Sequence, residues 1–273
     1  MSTPSPLALA SSWNLVSSAY AEKAPAIMAP FSERAVQLAA PPRDARALDV
    51  ACGSGVTTFA LAEKVARVDA VDFSEGMLAQ LRVALAERDT KHATLHAADG
   101  QHLPFPDATF DVALSMFGLM FFPDRARGLG EMLRVLRPGG VMVIGSWVPM
   151  EQSSLMALTM EAVRAVNPEP MPSPPPPLPL SSPAEAEAEV IAAGFTAVSV
   201  TLHTHSMVVE NAEQFWQAAM ESNVFVALLR QRLGETVWQE RQGRGLAVVR
   251  EHLAGGPIRL SASALLTRGE RPR

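Results

Sequence analysis

Short apolar, β-branched runs alternate with segments of helical periodicity through the middle of the chain. The apolar runs predict strands over residues 45–51, 66–73, 92–99, 109–117 and 141–147. Apolar residues at helical spacing predict helices over 56–65, 75–89 and 125–136. Strands that alternate with helices of this length form parallel βαβ units. The pattern therefore predicts an α/β fold built on a doubly wound sheet.

Proline interrupts the pattern in two places. Residues 11–39 predict two short helices ahead of the sheet, broken by Pro25 and Pro30. Between Pro168 and Leu180 proline is the commonest residue, and such a stretch favours an extended surface loop over helix or sheet. A docking site for an SH3-like module is the alternative interpretation of this loop.

The last third of the chain adds strands and a helical block. Helices are predicted over 153–166, 184–195 and most of 211–253, and strands over 196–209 and 257–269. The whole pattern predicts a mostly parallel seven-stranded sheet with a helical cap inserted before the last strand. The expected domains are an N-terminal helical lid at 1–40, a core at 41–210 and 256–273 with a proline-rich loop at 167–183, and the cap at 211–255.

Charge and composition narrow the classes of partner and location. The net charge is −5 and no run of lysine or arginine stands out, so we do not expect a nucleic-acid partner. The sequence lacks an uninterrupted apolar stretch long enough to span a membrane and a basic secretory start, so we expect a cytoplasmic protein, either a monomer or a homodimer. The single cysteine, Cys52, excludes an internal disulfide and a zinc cage of several thiolates.

The stretch LDVACGSGV, residues 48–56, joins the first predicted strand to the first helix of the sheet. Gly53 and Gly55 lack Cβ atoms, so a ligand can touch the backbone beside the start of the helix. Asp72 follows at the end of the second strand, where a carboxylate can accept hydrogen bonds from both ribose hydroxyls of an adenosine. The spacing therefore predicts a nucleotide-like cofactor.

Two cofactor classes fit this layout. A dinucleotide site has a third small residue after the two glycines, and Thr58 stands there instead. Asp49, just upstream of the turn, disfavours an anionic diphosphate and favours a cation. These two residues argue against a nucleotide-dependent oxidoreductase.

The motifs of residues 45–148 resemble those of the class I S-adenosylmethionine-dependent methyltransferases, in particular the small-molecule group similar to the ubiquinone and menaquinone biosynthesis methyltransferases. The matching stretches are LDVACGSG, VDFSEGML, AADGQHLPFPDATFDVALSMF and MLRVLRPGGVMVI, in this order. The resemblance implies a Rossmann-like methyltransferase fold, S-adenosylmethionine as cofactor and S-adenosylhomocysteine as product.

The resemblance also implies roles for individual residues. The turn from Asp49 through Ala51 and Gly53 to Gly55 would hold the methionine part of the cofactor. The adenosine part would be held by Asp72 at the ribose and by residues around the adenine and beneath the sulfonium, namely Phe73, Met77, Asp99, Gly100, Gln101, Ser115 and Met116. For several of these, Met77 and Met116 above all, packing in the core is the alternative interpretation.

The acceptor would bind beyond the carboxyl ends of the fourth and fifth strands. The candidate pocket residues are Tyr20, Phe117, Met120, Trp147 and Trp216. Their apolar character predicts a small, largely apolar or aromatic metabolite, such as a natural product or a quinone-like compound. The motif that holds a planar exocyclic amine in related enzymes is missing, and so is a cluster of metal ligands. A general base is poorly marked, and His203, His205 and His252 are the weak candidates.

We therefore expect transfer of a methyl group to a small molecule by in-line displacement, with a hydroxyl oxygen as the acceptor atom. Methylation of carbon or nitrogen is the first alternative. A protein that binds the cofactor without catalysis and serves as a partner subunit is the second.

Overall fold

The computed structural model describes residues 5–167 and 178–273, so most of the predicted proline-rich loop lies outside the described residues. Seven strands form one sheet in the order β3-β2-β1-β4-β5-β7-β6. Strand β7 is antiparallel to both of its neighbours, and the other neighbouring strands are parallel. This topology confirms the predicted fold class. The strands are β1 (Arg46–Val50), β2 (Arg67–Asp72), β3 (Ala93–Ala97), β4 (Phe110–Met116), β5 (Leu136–Trp147), β6 (Thr196–Val209) and β7 (Ile258–Glu270).

The helices follow the predicted order. Three precede the sheet, namely α1 (Ala10–Asn14), α2 (Ser17–Lys23) and α3 (Pro25–Ala39). Five alternate with the strands, namely α4 (Val56–Ala62), α5 (Glu75–Glu87), α6 (Arg125–Val135), α7 (Ser154–Val166) and α8 (Pro183–Ala192). Three lie between β6 and β7, namely α9 (Ala212–Ser222), α10 (Val224–Leu233) and α11 (Glu235–His252). The helical block before the last strand is therefore present as predicted.

Three helices precede the sheet where two were predicted, and only one of the two prolines marks a break, since α2 ends at Lys23 and α3 begins at Pro25. Pro25 begins α3, because the first helical position needs no backbone N–H. Pro30 lies inside α3 without ending it. The same helix buries Phe31, Ala35 and Val36, and this packing offsets the lost hydrogen bond.

Strand β5 also differs, because it begins at Leu136 rather than at 141. Leu136 pairs with Phe110, and the register of the β4–β5 pair then shifts before Val112 pairs with Val141. The Arg-Pro-Gly-Gly stretch lies in this irregularity, which explains why its turn-forming residues gave no strand signal.

Helices cover both faces of the sheet. Buried residues of α3, α4 and α5 pack on one face, and those of α6 and α8 pack on the other. Strand β1 pairs with β2 on one side and with β4 on the other, so the strand order reverses beside β1. Ligands of open α/β sheets bind at this switch point, beyond the carboxyl ends of the strands.

The remaining helices flank that end of the sheet. Helices α9, α10 and α11 share an apolar cluster with α7. Val16, between α1 and α2, packs with Met77 of α5 and Val224 of α10. Among the described residues no helix is both long and apolar enough to cross a membrane.

Candidate cofactor and acceptor site

The turn after β1 is shaped by left-handed backbone conformations. Ala51, Gly53 and Gly55 have φ values of 56°, 54° and 97°. A Cβ on Gly55 would overlap Cδ1 of Leu81, so the second glycine is required both by its conformation and by the packing of α5. Ala51 has a side chain and still takes this conformation, which marks a locally strained site at the end of β1.

Asp49 is buried below this turn, at 1% exposure. Its Oδ2 accepts a hydrogen bond from Thr58 Oγ1 at 2.6 Å, whereas its Oδ1 has no partner among the described residues. Burial raises the pKa of Asp49 to about 7, and the nearby Asp72 carboxylate adds to the rise. A buried carboxylate with a free oxygen is a site that a cation stabilises.

Asp72, at the end of β2, is held by the backbone on both sides. The N–H groups of Gly53 and Ser74 donate to its two oxygens, each at 2.8 Å. Burial raises its pKa to about 6, against the lowering effect of these hydrogen bonds. Each carboxylate oxygen accepts more than one hydrogen bond, so acceptor capacity is left for a ligand. Of its neighbours, Met77 is buried and Phe73 is exposed at 36%.

The segment after β3 meets this end of the sheet at Asp72, whose carbonyl accepts from the N–H of Ala98 at 3.1 Å. The next three residues form a local unit. The backbone N–H and the side-chain amide of Gln101 both donate to Asp99. A Cβ on Gly100 would lie 2.5 Å from the Phe122 ring. The structure therefore brings the predicted ribose and adenine residues together.

The end of β4 completes the predicted cofactor set. Ser115 is fully buried, and its Oγ has no partner among the described residues. A Cβ on Gly118 would overlap that of Ala51, so β1 and β4 approach closely at their ends. Met116 packs against Gly145 of β5 and joins two apolar clusters of the core.

An aromatic cluster of Phe31, Phe117, Trp147 and His203 lies beyond the ends of β4 and β5. Phe117 and Trp147 stack with ring centroids 4.0 Å apart. Phe31 meets Phe117, Trp147 and His203 edge-on at 5.7, 5.5 and 5.4 Å. Phe117 has φ 62°, so a bulky residue takes the left-handed conformation immediately after β4. Such strain persists where the surroundings enforce it, often at functional sites.

Three further predicted residues lie at or near this end of the sheet. Met120 is buried in the same apolar cluster as Phe117 and Trp147. His205 lies two residues along β6 from His203, on the same face. Tyr20 lies over the turn after β1, with a ring carbon 4.0 Å from the position of a Cβ on Gly53. Burial, with the Asp72 carboxylate, raises the pKa of Tyr20 to about 12.

Two predicted residues belong to the helical block between β6 and β7. Trp216 packs against Gly245 and Ala162, because α9 turns its apolar face toward α7 and α11. His252 contacts Glu161 of α7, with 3.1 Å between Nε2 and Oε2. Neither joins the aromatic cluster.

The sequence did not single out two residues that the structure brings to the site. Phe31 joins the aromatic cluster from α3, and its only signal was helical spacing. Asn14 contacts the start of α5, where its Oδ1 accepts a hydrogen bond from Ser74 Oγ at 2.7 Å. No motif or spacing in the sequence pointed to this residue. Among the described residues, no group of three or more His, Cys, Asp or Glu side chains could hold a metal ion.

The comparisons with known proteins agree with this geometry. Residues 48–144 match a family described as "Methyltransferase domain". The demethylmenaquinone methyltransferase of Clavibacter sepedonicus is 47% identical over 105 residues, which are 38% of this chain and 42% of that protein. The ubiquinone/menaquinone biosynthesis C-methyltransferase UbiE of Geobacter sulfurreducens is 43% identical over 103 residues, which are 36% of this chain and 40% of that protein.

The matched segment thus spans less than half the length of these relatives. Among solved structures, the 4+2 cyclase SpnF superposes with a TM-score of 0.62 at 19% identity, covering 100% of this chain and 99% of that one. This likeness shows the fold alone. Residues 48–144 of this chain therefore form a methyltransferase domain of the class that the motifs predicted, related to that of the quinone biosynthesis methyltransferases.

Proposed function

We propose that this chain is an S-adenosylmethionine-dependent methyltransferase that acts on a small, largely apolar metabolite. The observation that carries the proposal is the buried Asp49 carboxylate, whose free Oδ1 lies below a tight turn at the switch point of the sheet. A cation bound there relieves the cost of the buried charge, whereas a diphosphate would be repelled.

The residues around Asp49 fit the other parts of this cofactor. Asp72 would accept from the ribose hydroxyls, since its carboxylate is already oriented by two backbone N–H groups. Asp99 and Gln101 would bind the adenine edge. When bound, the cofactor supplies a methyl group that its sulfonium has already made electrophilic. The protein then has to align the acceptor, exclude water and remove a proton from the acceptor.

The aromatic cluster supports an aromatic acceptor. Phe117 and Trp147 are nearly buried, at 7% and 8% exposure, and form an apolar wall that suits a flat aromatic compound. We propose a hydroxyl oxygen of such a compound as the acceptor atom. Methylation of a ring carbon is the second candidate, since one relative is named a C-methyltransferase. Methylation of a phenol oxygen removes the hydroxyl proton. Methylation of a ring carbon removes the proton of that carbon, and ionisation of the hydroxyl activates the ring for it.

His203 is our candidate for the general base. It lies on β6 against Phe31 of the aromatic cluster. Burial lowers its pKa below the usual range, and the positive charge of Arg34 adds to this. The imidazole is therefore neutral near pH 7 and can accept a proton. We propose helices α1, α2 and α3 as a lid over the site and α9, α10 and α11 as its cap.

The central test is a turnover assay with labelled S-adenosylmethionine and a panel of hydroquinones, phenols and polyketide-like hydroxyls. We expect label transfer to at least one aromatic acceptor. Nuclear magnetic resonance of the product distinguishes O-methyl from C-methyl. Binding of S-adenosylhomocysteine without any turnover would instead support a non-catalytic role, and binding of NAD alone would overturn the proposal.

The role of His203 is tested against a neighbour on the same strand face. We expect His203→Gln to lower kcat and to remove the acidic limb of its pH profile, while His205→Gln leaves both unchanged. Equal effects of the two substitutions would contradict the assignment of the base.

A further inference from the structure

The end of α1 contacts the start of α5 through one side chain. Asn14 Oδ1 accepts a hydrogen bond from Ser74 Oγ at 2.7 Å and another from the backbone N–H of Gly76 at 3.0 Å. Asn14 is the last residue of α1. The two donors lie at the N-terminus of α5, where backbone N–H groups lack partners within the helix.

Ser74 links this contact to the carboxylate at the end of β2. Its backbone N–H donates to Asp72 Oδ1 at 2.8 Å, and its Oγ accepts from the N–H of Met77 at 3.1 Å as the N-cap of α5. One serine therefore bonds both to Asn14 and to Asp72. Ser74 thus connects the end of α1 to Asp72.

Gly76 allows the close approach. A Cβ at this position would lie 2.9 Å from Asn14 Oδ1, 3.1 Å from Ser17 Oγ and 3.3 Å from Asn14 Cα. Its φ is not in the left-handed region, so its conformation does not require glycine. Glycine is required here because α1 and α2 occupy the space that a side chain would need.

The same two helices cover the residues around Asp72. Val16 and Tyr20 pack in one apolar cluster with Met77, and the Tyr20 ring lies over Gly53. A ligand held by Asp72 and by the turn after β1 is therefore enclosed by the segment that Asn14 ties down.

We propose that Asn14 and Gly76 form a latch that holds α1 and α2 closed over Asp72, and that this latch must open for the cofactor to exchange. Asn14 is thus a positioning residue, which acts through Ser74 and makes no contact with the reacting atoms. The inference rests on the proposed function, because it assigns the ligand at Asp72 to the adenosyl cofactor.

The latch can be weakened from either side. Asn14→Ala removes the acceptor, and Gly76→Ala inserts a methyl group where α1 now lies. Gly130→Ala is the matched control, since Gly130 lies in α6 with nothing within 4 Å of its Cβ position. Asn14→Asp keeps an acceptor oxygen beside the N-terminus of α5 and is the conservative rescue.

We expect Asn14→Ala and Gly76→Ala to speed release of S-adenosylhomocysteine by about three- to tenfold, the effect of one or two ordinary hydrogen bonds. Release is followed by stopped-flow competition, and hydrogen exchange of residues 5–24 reports opening directly. Both variants should exchange faster there, and bound S-adenosylhomocysteine should slow exchange in the wild type. Asn14→Asp and Gly130→Ala should match the wild type in both measurements.

Each outcome is decisive. Release rates within twofold of Gly130→Ala for both latch variants, in protein with unchanged denaturant unfolding, would overturn the latch. Unchanged exchange over residues 5–24 would do the same. A wild type that binds no S-adenosylhomocysteine would instead refute the proposed function, and the exchange of the ligand-free variants would still decide whether Asn14 and Gly76 hold α1 and α2 closed.

Discussion

Replacing Asp49 by asparagine should make the ligand-free protein more stable and a poorer binder of its cofactor. The substitution keeps the size of the side chain and an oxygen that can accept from Thr58 Oγ1. It removes the charge and replaces the other oxygen by an NH2 group. The two opposite effects follow from one property, the raised pKa of the buried carboxyl.

The magnitude follows from linkage. Burial raises the pKa of Asp49 from 3.8 to about 7, so the folded chain holds this proton more tightly than the unfolded chain does. The contribution to stability is therefore complete below the unfolded pKa and is lost as the pH rises through the folded pKa. At about 1.4 kcal/mol per pKa unit, the loss by pH 8 is a few kcal/mol. Because asparagine buries a new amide, we expect a gain of about 1 to 3 kcal/mol at pH 8. At pH 5 the wild type has lost about 3 kcal/mol less, so the variant should gain nothing there or be less stable than the wild type.

Cofactor affinity should depend on pH with the reverse sign. A bound ammonium or sulfonium favours the carboxylate, so the wild type must release a proton on binding below the folded pKa. The Kd for S-adenosylhomocysteine, which carries the ammonium, should fall about fivefold from pH 6 to pH 7 and about tenfold from pH 6 to pH 8, and should level off above. The asparagine variant should bind more weakly at pH 8 and should keep only the smaller pH dependence that comes from Asp72, whose pKa is raised by burial to about 6.

The assays are denaturant unfolding of the ligand-free protein and calorimetry between pH 5 and 8. Asp69 provides a matched control, because it is equally buried but lies in an ion pair with Arg46. Burial alone would raise its pKa, yet hydrogen bonds from Arg46 and His96 hold it below the usual range. Asp69→Asn should destabilise the protein at pH 7 without changing the affinity. An Asp49→Asn variant with wild-type affinity and wild-type pH dependence would refute the reasoning.

Three further predictions concern the same end of the sheet. Asp72→Ala should weaken binding of S-adenosylhomocysteine by about 1.5 to 3 kcal/mol in calorimetry, as for hydrogen bonds to a charged group, and unchanged affinity in the folded variant would contradict the ribose assignment. Gly55→Ala should lower the free energy of unfolding by about 1 to 3 kcal/mol, since the φ of Gly55 is 97° and the new Cβ would overlap Leu81. Gly130→Ala is the control and should not lower the free energy of unfolding, because its new Cβ meets open space. Burial raises the pKa of Cys52 well above its usual range, so alkylation of the native protein should be far slower than that of the unfolded chain, and equal rates would show that the thiol is not enclosed.

The parts of the fold that were predictable from sequence depend on local signals. Strands β1 and β2 are short apolar runs, and the turn between β1 and α4 carries two glycines. The start of β5 was missed because Pro138 and Gly139 are turn residues by every local criterion, and the backbone hydrogen bonds of this stretch, between Gly139, Gly140 and Arg271, are tertiary contacts. The continuation of α3 through Pro30 was missed for a similar reason, since the burial of Phe31 is a tertiary effect.

The same distinction between local signals and tertiary packing applies to the candidate site. Asp49 and Asp72 were predicted because each has a fixed place relative to a strand end, and strand ends are local features. The aromatic cluster draws Phe31 from α3, Phe117 from beyond β4, Trp147 from β5 and His203 from β6. Periodicity puts each of these residues on an apolar face, but it does not say which faces meet.

Cofactor residues and acceptor residues therefore differ in how far a sequence can define them. The proposed cofactor residues lie at strand ends that are neighbours in one sheet, and the parallel order of that sheet follows from the alternation of strands and helices. The proposed acceptor residues lie where a helix before the sheet meets the strand at its far edge, and their packing is set by the sum of many apolar contacts. Asn14 is the extreme case, because a single polar residue in a short helix becomes meaningful only once Gly76 leaves room for it. Gly76 marks a close neighbour, whereas Gly130, which also lies in a helix without a left-handed conformation, meets open space, so only the structure distinguishes the two glycines.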